Sequence, residues 1–295
     1  RWPRKSCGTC DGYDGRARGR VASAGGGVRP PAALSPAQRA REGDVSDETE
    51  TLARLIGAER ARGGAPISRL GYFCAPFRPA GGPYADRVVK VYRALDDAAL
   101  LERLQQAHAA YVALLAETGV PVPQTAFHLV RLDGGTAPVV VQKALPPESM
   151  MRPQIARGTP EEACALLEAA GDVIARFWHA VRGRDARIGF HPSIRNFAVT
   201  GGEAVFFDTF PPLVGYSRAE MGRLLLIFSD KPLMRMIGPA IRARVTAIQD
   251  EWYDPAETLV GLVGSACRLR PDDAAAFLDW GRDFAAREMA PWQDE

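Results

Sequence analysis

Lysine is scarce in this chain: of 37 basic residues only Lys5, Lys90, Lys143 and Lys231 are not arginine. A lysine in the middle of an apolar run is therefore poorly explained as a generic surface cation. Charge of one sign is missing too, because 37 Lys and Arg stand against 35 Asp and Glu for a net of +2. That balance argues against a nucleic-acid partner. No apolar run approaches the roughly 18 residues of a membrane span, and no secretory apolar core follows the first residues. The expected compartment is the cytoplasm, with no membrane partner. The 5 cysteines, Cys7, Cys10, Cys74, Cys164 and Cys267, are odd in number and scattered, so they read as free thiols. Cys7 and Cys10 have metal-ligand spacing, but no second Cys or His pair lies near to complete a zinc site. The 4 histidines, His108, His128, His179 and His191, are dispersed. That spread disfavours metal-assisted hydrolysis, which needs a cluster of histidines and carboxylates.

The chain does have enough apolar residues, 46% of 295, to build a sizeable core in one large domain or two lobes. Residues 1–44 contribute little to it: arginine, glycine, proline, serine and alanine dominate, and the segment reads as disordered. The sequence opens on Arg1, and a helical pattern starts only after Val45-Ser-Asp47. We expect 1–44 to be a non-native or mis-assigned extension; peptides from upstream of Val45 in the natively expressed protein would refute this. Beyond it, a short amphipathic helix over 51–62 precedes extended segments at 67–77 and 87–92. Next comes a helix over 96–118, with Leu100, Leu101, Leu104, Ala107, Tyr111, Leu114 and Leu115 at helical spacing and Gly119 as its stop. Strands at 125–131 and 138–142 flank an Asp133-Gly-Gly135 turn. After Pro146-Pro147 the pattern turns helical: Thr159-Pro-Glu-Glu162 starts a helix reaching about Val181, and Ser217, Asp254 and Pro271 open others.

One insertion interrupts the helical half. Apolar runs at 197–199 and 204–207 flank Thr200-Gly-Gly-Glu203, which reads as a tight hairpin. Its open end carries Asn196 on one side and Asp208 on the other, an amide oxygen and a carboxylate facing one point. Mg²⁺ takes oxygen ligands and is commonly held by one or two protein groups plus substrate phosphates. Asn196 and Asp208 are the candidate metal ligands.

The order of these elements, with Gly119-Val-Pro-Val-Pro123 after the first long helix and the Asn196 and Asp208 pair beyond, resembles the protein-kinase-like superfamily. Aminoglycoside phosphotransferase-like small kinases are the nearest members. The resemblance covers about Asp47 to the end. It implies an α+β fold of two lobes: a small antiparallel-sheet lobe with one long helix over 45–144, and a mainly helical lobe over 145–295 holding the hairpin. It implies ATP and Mg²⁺ as cofactors and γ-phosphoryl transfer to a hydroxyl of a small molecule or of a peptide serine or threonine. Lys90, in Arg87-Val-Val-Lys-Val-Tyr92, falls where such kinases hold the nucleotide's phosphates. The adenine would meet the backbone of Gln142, Lys143 and Ala144, and the acceptor would lie near Arg195 and the 209–215 loop.

The chain departs from the family in three places. The helix glutamate that pairs with the lysine falls near Gln105, Gln106 or His108, with Glu102 a turn earlier; His108 itself reads as a partly exposed helix residue. No Gly-x-Gly pattern surrounds Gly71, and Gly81-Gly82 falls on the next turn. The position of the catalytic aspartate, five residues before Asn196, is His191. A neutral imidazole can accept a proton but brings no negative charge; equally, His191 can simply shape the loop beside Pro192. General-base assistance is worth about 10²- to 10⁴-fold, whereas phosphoryl transfer depends chiefly on positioning and charge stabilisation. Two readings follow from the resemblance: a phosphotransferase with catalytic residues His191, Asn196 and Asp208, or a catalytically degenerate binding or regulatory module. Oligomeric state is not legible.

Overall fold

A computed structural model describes residues 36–63, 67, 73–229 and 249–292. Two compact units divide the chain at Glu42 and Gly43. Of the first, only the start of a helix is described. The second holds the rest of that helix and every other element described.

The architecture is α+β. Helix α1 spans Pro36–Arg62, fifteen residues earlier than the expected start at Thr51. Proline suits a first helical position, and the Ala, Gln, Arg and Glu that follow are good helix formers. Strand β1 is Arg87–Val91, helix α2 is Ala98–Glu117, and strands β2 and β3 are Thr125–Leu132 and Gly135–Lys143. They form an antiparallel sheet in the order β1-β3-β2. The expected strand over 67–77 is corrected: within it Phe77 makes an isolated bridge to Val89, and 68–72 lie outside the described residues.

The sheet's alternation decides where Lys90 goes. Val139 and Val141 point to the face covered by Leu52 and Ile56 of α1, with Val89, Val130 and Ala137. Val140 points to the opposite face, where it joins Leu104 and Tyr111 of α2 and Tyr92. Lys90 is the direct partner of Val140, so it shares that second face.

The remaining helices are α3 Met151–Arg157, α4 Pro160–Val181, α5 Arg218–Phe228, α6 Pro255–Leu269 and α7 Ala274–Glu288. Helix α4 opens with a reciprocal capping box, Thr159 with Glu162, and is buried along much of its length against β4 and β5, α6 and α7. Gly171 lets Phe284 lie on the α4 backbone, since a Cβ there would be 2.8 Å from the ring. Strands β4 (Phe197–Thr200) and β5 (Glu203–Phe206) form the expected hairpin. Its two turn residues, Gly201 and Gly202, have φ of 60° and 84°, the left-handed pair that a two-residue hairpin turn requires. Among the described residues no helix is long and apolar enough to cross a membrane. Cys74, Cys164 and Cys267 form no disulfide; Cys7 and Cys10 lie outside the described residues.

Candidate functional site

The hairpin's open end is closed by one more backbone bond beyond the strands, from Phe207 N to Asn196 O at 3.0 Å. Asn196 thereby faces Phe207, and Asp208 is the next residue along. The Asn196 side chain is fixed: it is 8% exposed, and its Nδ2 donates to the His191 carbonyl at 2.9 Å. Oδ1 is the side chain's acceptor. Asp208 is half-buried, and among the described residues no hydrogen bond or ion pair within 4.0 Å engages its carboxylate.

Lys90 completes the group from the sheet. It is 9% exposed, and its Nζ donates to the Phe207 carbonyl at 2.7 Å, one residue before Asp208. Burial pushes its pKa below the ordinary lysine value, with Asp208 and then Cys74 acting in opposition. A desolvated ammonium held by one backbone oxygen keeps two donors for an anion.

Among the described residues no carboxylate of α2 pairs with Lys90. Glu102, Gln105 and Gln106 are exposed, and Gln106 bonds back to Glu102. The residue facing inward is His108, which is 2% exposed and not partly exposed as expected from sequence. Its Nε2 lies 3.0 Å from Thr209 Oγ1, and its ring packs on Phe127 at 4.8 Å. Burial, then the Lys90 charge, lowers its pKa to about 4. His108 is therefore neutral at pH 7. The available sequence signal was its place in the apolar stripe, four residues after Leu104 and three before Tyr111.

His191 is half-buried and stacks on Trp252 at 4.3 Å. Burial lowers its pKa and Asp208 opposes the shift, so it too is neutral at pH 7. Trp252, which sequence reasoning missed, is positioned by its carbonyl, which accepts from Phe190 N at 2.7 Å. Gly189 makes this approach possible: a Cβ there would lie 2.8 Å from Trp252 O and 2.8 Å from the Tyr253 ring. Gly189→Ala is expected to lower stability by about 1–3 kcal/mol, the usual range for overpacking, and to push Trp252 off His191. Urea denaturation and tryptophan fluorescence measure both.

The loop after Asp208 is held at several points. Thr209 is fully buried. Phe210 stacks on Tyr92 at 3.7 Å and meets Phe228 edge-on at 5.3 Å. Leu213 O accepts from Gly189 N at 2.9 Å, and Arg103 of α2 donates to Gly215 O at 2.9 Å and to Glu220 at 2.7 Å. Arg195 is exposed.

The backbone of Gln142, Lys143 and Ala144 is the segment expected to meet the adenine; within it the N–H groups of Lys143 and Ala144 donate to Gln124 O and Asp86 O at 2.9 Å each. The side chain of Gln142 is buried on Thr125 at 3.0 Å, and the Lys143 ammonium pairs with Asp86 at 2.6 Å. Gly71 lies outside the described residues, and Gly81-Gly82 sits on an exposed turn. Of the other histidines, His128 lies 3.7 Å from Glu48 and His179 bonds the Glu288 carbonyl at 2.8 Å.

A groove of about 610 Å³ opens between Pro147, Gln154, Glu162, Leu166 and the Gly201-Gly202 turn, at the other end of the hairpin from Asp208. Its Gln154 is spent on Ser149 O and Val199 O, and its Glu162 on the α4 cap. Among the described residues no three or more His, Cys, Asp or Glu side chains are grouped to hold a metal; a two-ligand pair relies on waters and phosphates for the rest.

The class defined so far is an α+β protein with two small antiparallel sheets and a buried lysine beside an Asn and Asp pair. The chain belongs to the family described as a family of unknown function (DUF6206), whose model matches residues 51–295. No curated protein matches the chain significantly. Among solved structures, the Legionella pneumophila LegK7 effector kinase is similar at 13% identity and a TM-score of 0.26, over 83% of this chain and 69% of that one. At that score the likeness carries no weight for fold or function.

Proposed function

We propose that this protein is a two-lobed kinase-like protein, with lobes over 45–144 and 145–295, that binds Mg-ATP and transfers the γ-phosphoryl group to a hydroxyl. One observation supports it above others: Lys90 Nζ, the Phe207 carbonyl and the Asn196 backbone are joined in a single chain of bonds at 2.7 and 3.0 Å. That chain ties the ammonium to the residue before Asp208 and, across the hairpin, to Asn196, which supports reading the three as one site. Asp208 and Asn196 Oδ1 would hold magnesium, and the donor set fits, being all oxygen and sparse. Bound magnesium would supply charge neutralisation on the phosphates.

The chain's own groups do the rest. Lys90 aims two N–H donors at phosphate oxygens in a desolvated setting, where a charge-assisted hydrogen bond is worth about 1.5–3 kcal/mol. His191, neutral, would accept the proton of the acceptor hydroxyl as its oxygen bonds to the γ-phosphorus and the β,γ-bridging bond breaks, leaving ADP. Trp252 fixes the imidazole plane by stacking.

A second reading, a nucleotide-binding module without turnover, has its own observation: His191 is neutral, pressed on Trp252, and no carboxylate occupies its place. Isothermal titration with ATP and Mg²⁺ tests binding, and ADP release in the presence of candidate acceptors separates the two readings. Absence of Mg-dependent ATP binding would refute both.

A further inference from the structure

Helix α2 grips the segment after Asp208 at both ends: Arg103 at Gly215, on the surface, and His108 at Thr209, in the interior. Between them Tyr111 OH donates to Gly189 O at 3.2 Å, and Gly189 N in turn donates to Leu213 O. The surface grip is exposed and weak by its nature. The interior one joins two buried polar groups, His108 at 2% and Thr209 at 0% exposure. Such a bond is directional and has no water to substitute for either partner.

Thr209 is the residue after Asp208, and Phe207, the residue before, carries the carbonyl that holds Lys90. Asp208 is thus bracketed by two anchored neighbours. One is tied to β1 through Lys90, and the other to α2 through His108. We infer that the His108–Thr209 hydrogen bond is the positioning element that holds Asp208 beside the Lys90–Phe207 contact, serving in place of a lysine–carboxylate pair on the helix. His108 touches no ligand position itself. This inference rests on the nucleotide reading for its functional consequence, but its structural part stands alone.

The experiment uses four variants of the full chain: Thr209→Val, His108→Phe, the two combined, and Thr209→Ser as the conservative control. Each single apolar variant strands a buried polar partner, so both lower the melting temperature. The combined variant strands none and regains most of that loss. Positioning predicts a different pattern for ligand affinity: Mg-ATP binding, by titration calorimetry, stays about tenfold weaker in the combined variant, while Thr209→Ser binds within about twofold of the parent. Hydrogen exchange of the amides at 208–210 rises in the combined variant and not in Thr209→Ser.

If affinity and exchange recover together with the melting temperature, the bond only fills space and the inference is overturned. Parent protein that binds no Mg-ATP would overturn the nucleotide reading instead. Exchange at 208–210 would then decide the positioning role without it: faster exchange in the combined variant upholds it, and unchanged exchange overturns it.

Discussion

Lys90→Met is expected to leave the fold intact and to remove nucleotide binding. The side chain is buried, its ammonium makes one hydrogen bond to Phe207 O, and no carboxylate lies within 4.0 Å among the described residues. Methionine fills nearly the same volume without the desolvation cost, and replacing buried charge by a packed apolar group is often neutral or stabilising by about 1–4 kcal/mol. Against that stands the one lost bond, worth about 1 kcal/mol. The unliganded melting temperature should therefore stay within a few degrees of the parent or rise. Binding responds in the opposite way. Losing two charge-assisted contacts to phosphate, about 3 kcal/mol in all, weakens affinity roughly 100-fold. With ligand at about 100 times the parent dissociation constant, stabilisation of about 2.7 kcal/mol falls to a few tenths. A thermal shift of about 5–10 °C for a domain of this size would nearly vanish. A variant that unfolds, or one that keeps the shift, contradicts the placement of Lys90 as a phosphate group.

Acidification provides the second large effect. His108 has a folded-state pKa of about 4 against an ordinary 6.5. Between those values the unfolded chain holds a proton that the folded protein refuses. Stability from this residue is therefore complete above pH 6.5 and declines as pH falls, reaching its floor near pH 4. The loss amounts to about 3 kcal/mol. The downward shifts of His191 and His128 act in the same direction, so the parent's stability should fall steeply through this window. Urea midpoints at pH 7, 6, 5 and 4 should show a shallower fall in His108→Phe than in the parent. Parallel curves would mean that water or a counter-charge reaches the imidazole.

The hairpin was legible because its signals are local: Gly201-Gly202 can take the left-handed turn that few other pairs can, and apolar runs flank it. The pairing Thr200 to Glu203 follows from that turn alone. The caps at Thr159 and Ser217 were legible for the same reason. His108 was not, because whether a polar residue on a helix meets solvent or a sheet depends on where the sheet lies. Its apolar neighbours at Leu104 and Tyr111 were the available clue. The partners of the Lys143 and Ala144 backbone donors were not legible for a related reason: Gln124 and Asp86 are distant in sequence and set by strand register. The helical start at Pro36 was hidden by composition, since Arg, Ala and Gln favour a helix locally while lacking the apolar stripe by which helices are recognised. Trp252, 61 residues beyond His191, gave no sequence signal of its stacking partner.

A single titration bears most directly on the account: calorimetry of the parent and of Asp208→Ala with ATP in the presence and absence of Mg²⁺. The account predicts magnesium-dependent binding by the parent and its loss in Asp208→Ala at an unchanged melting temperature without ligand. Equal, magnesium-independent heats in the two proteins, or none in the parent, would contradict it.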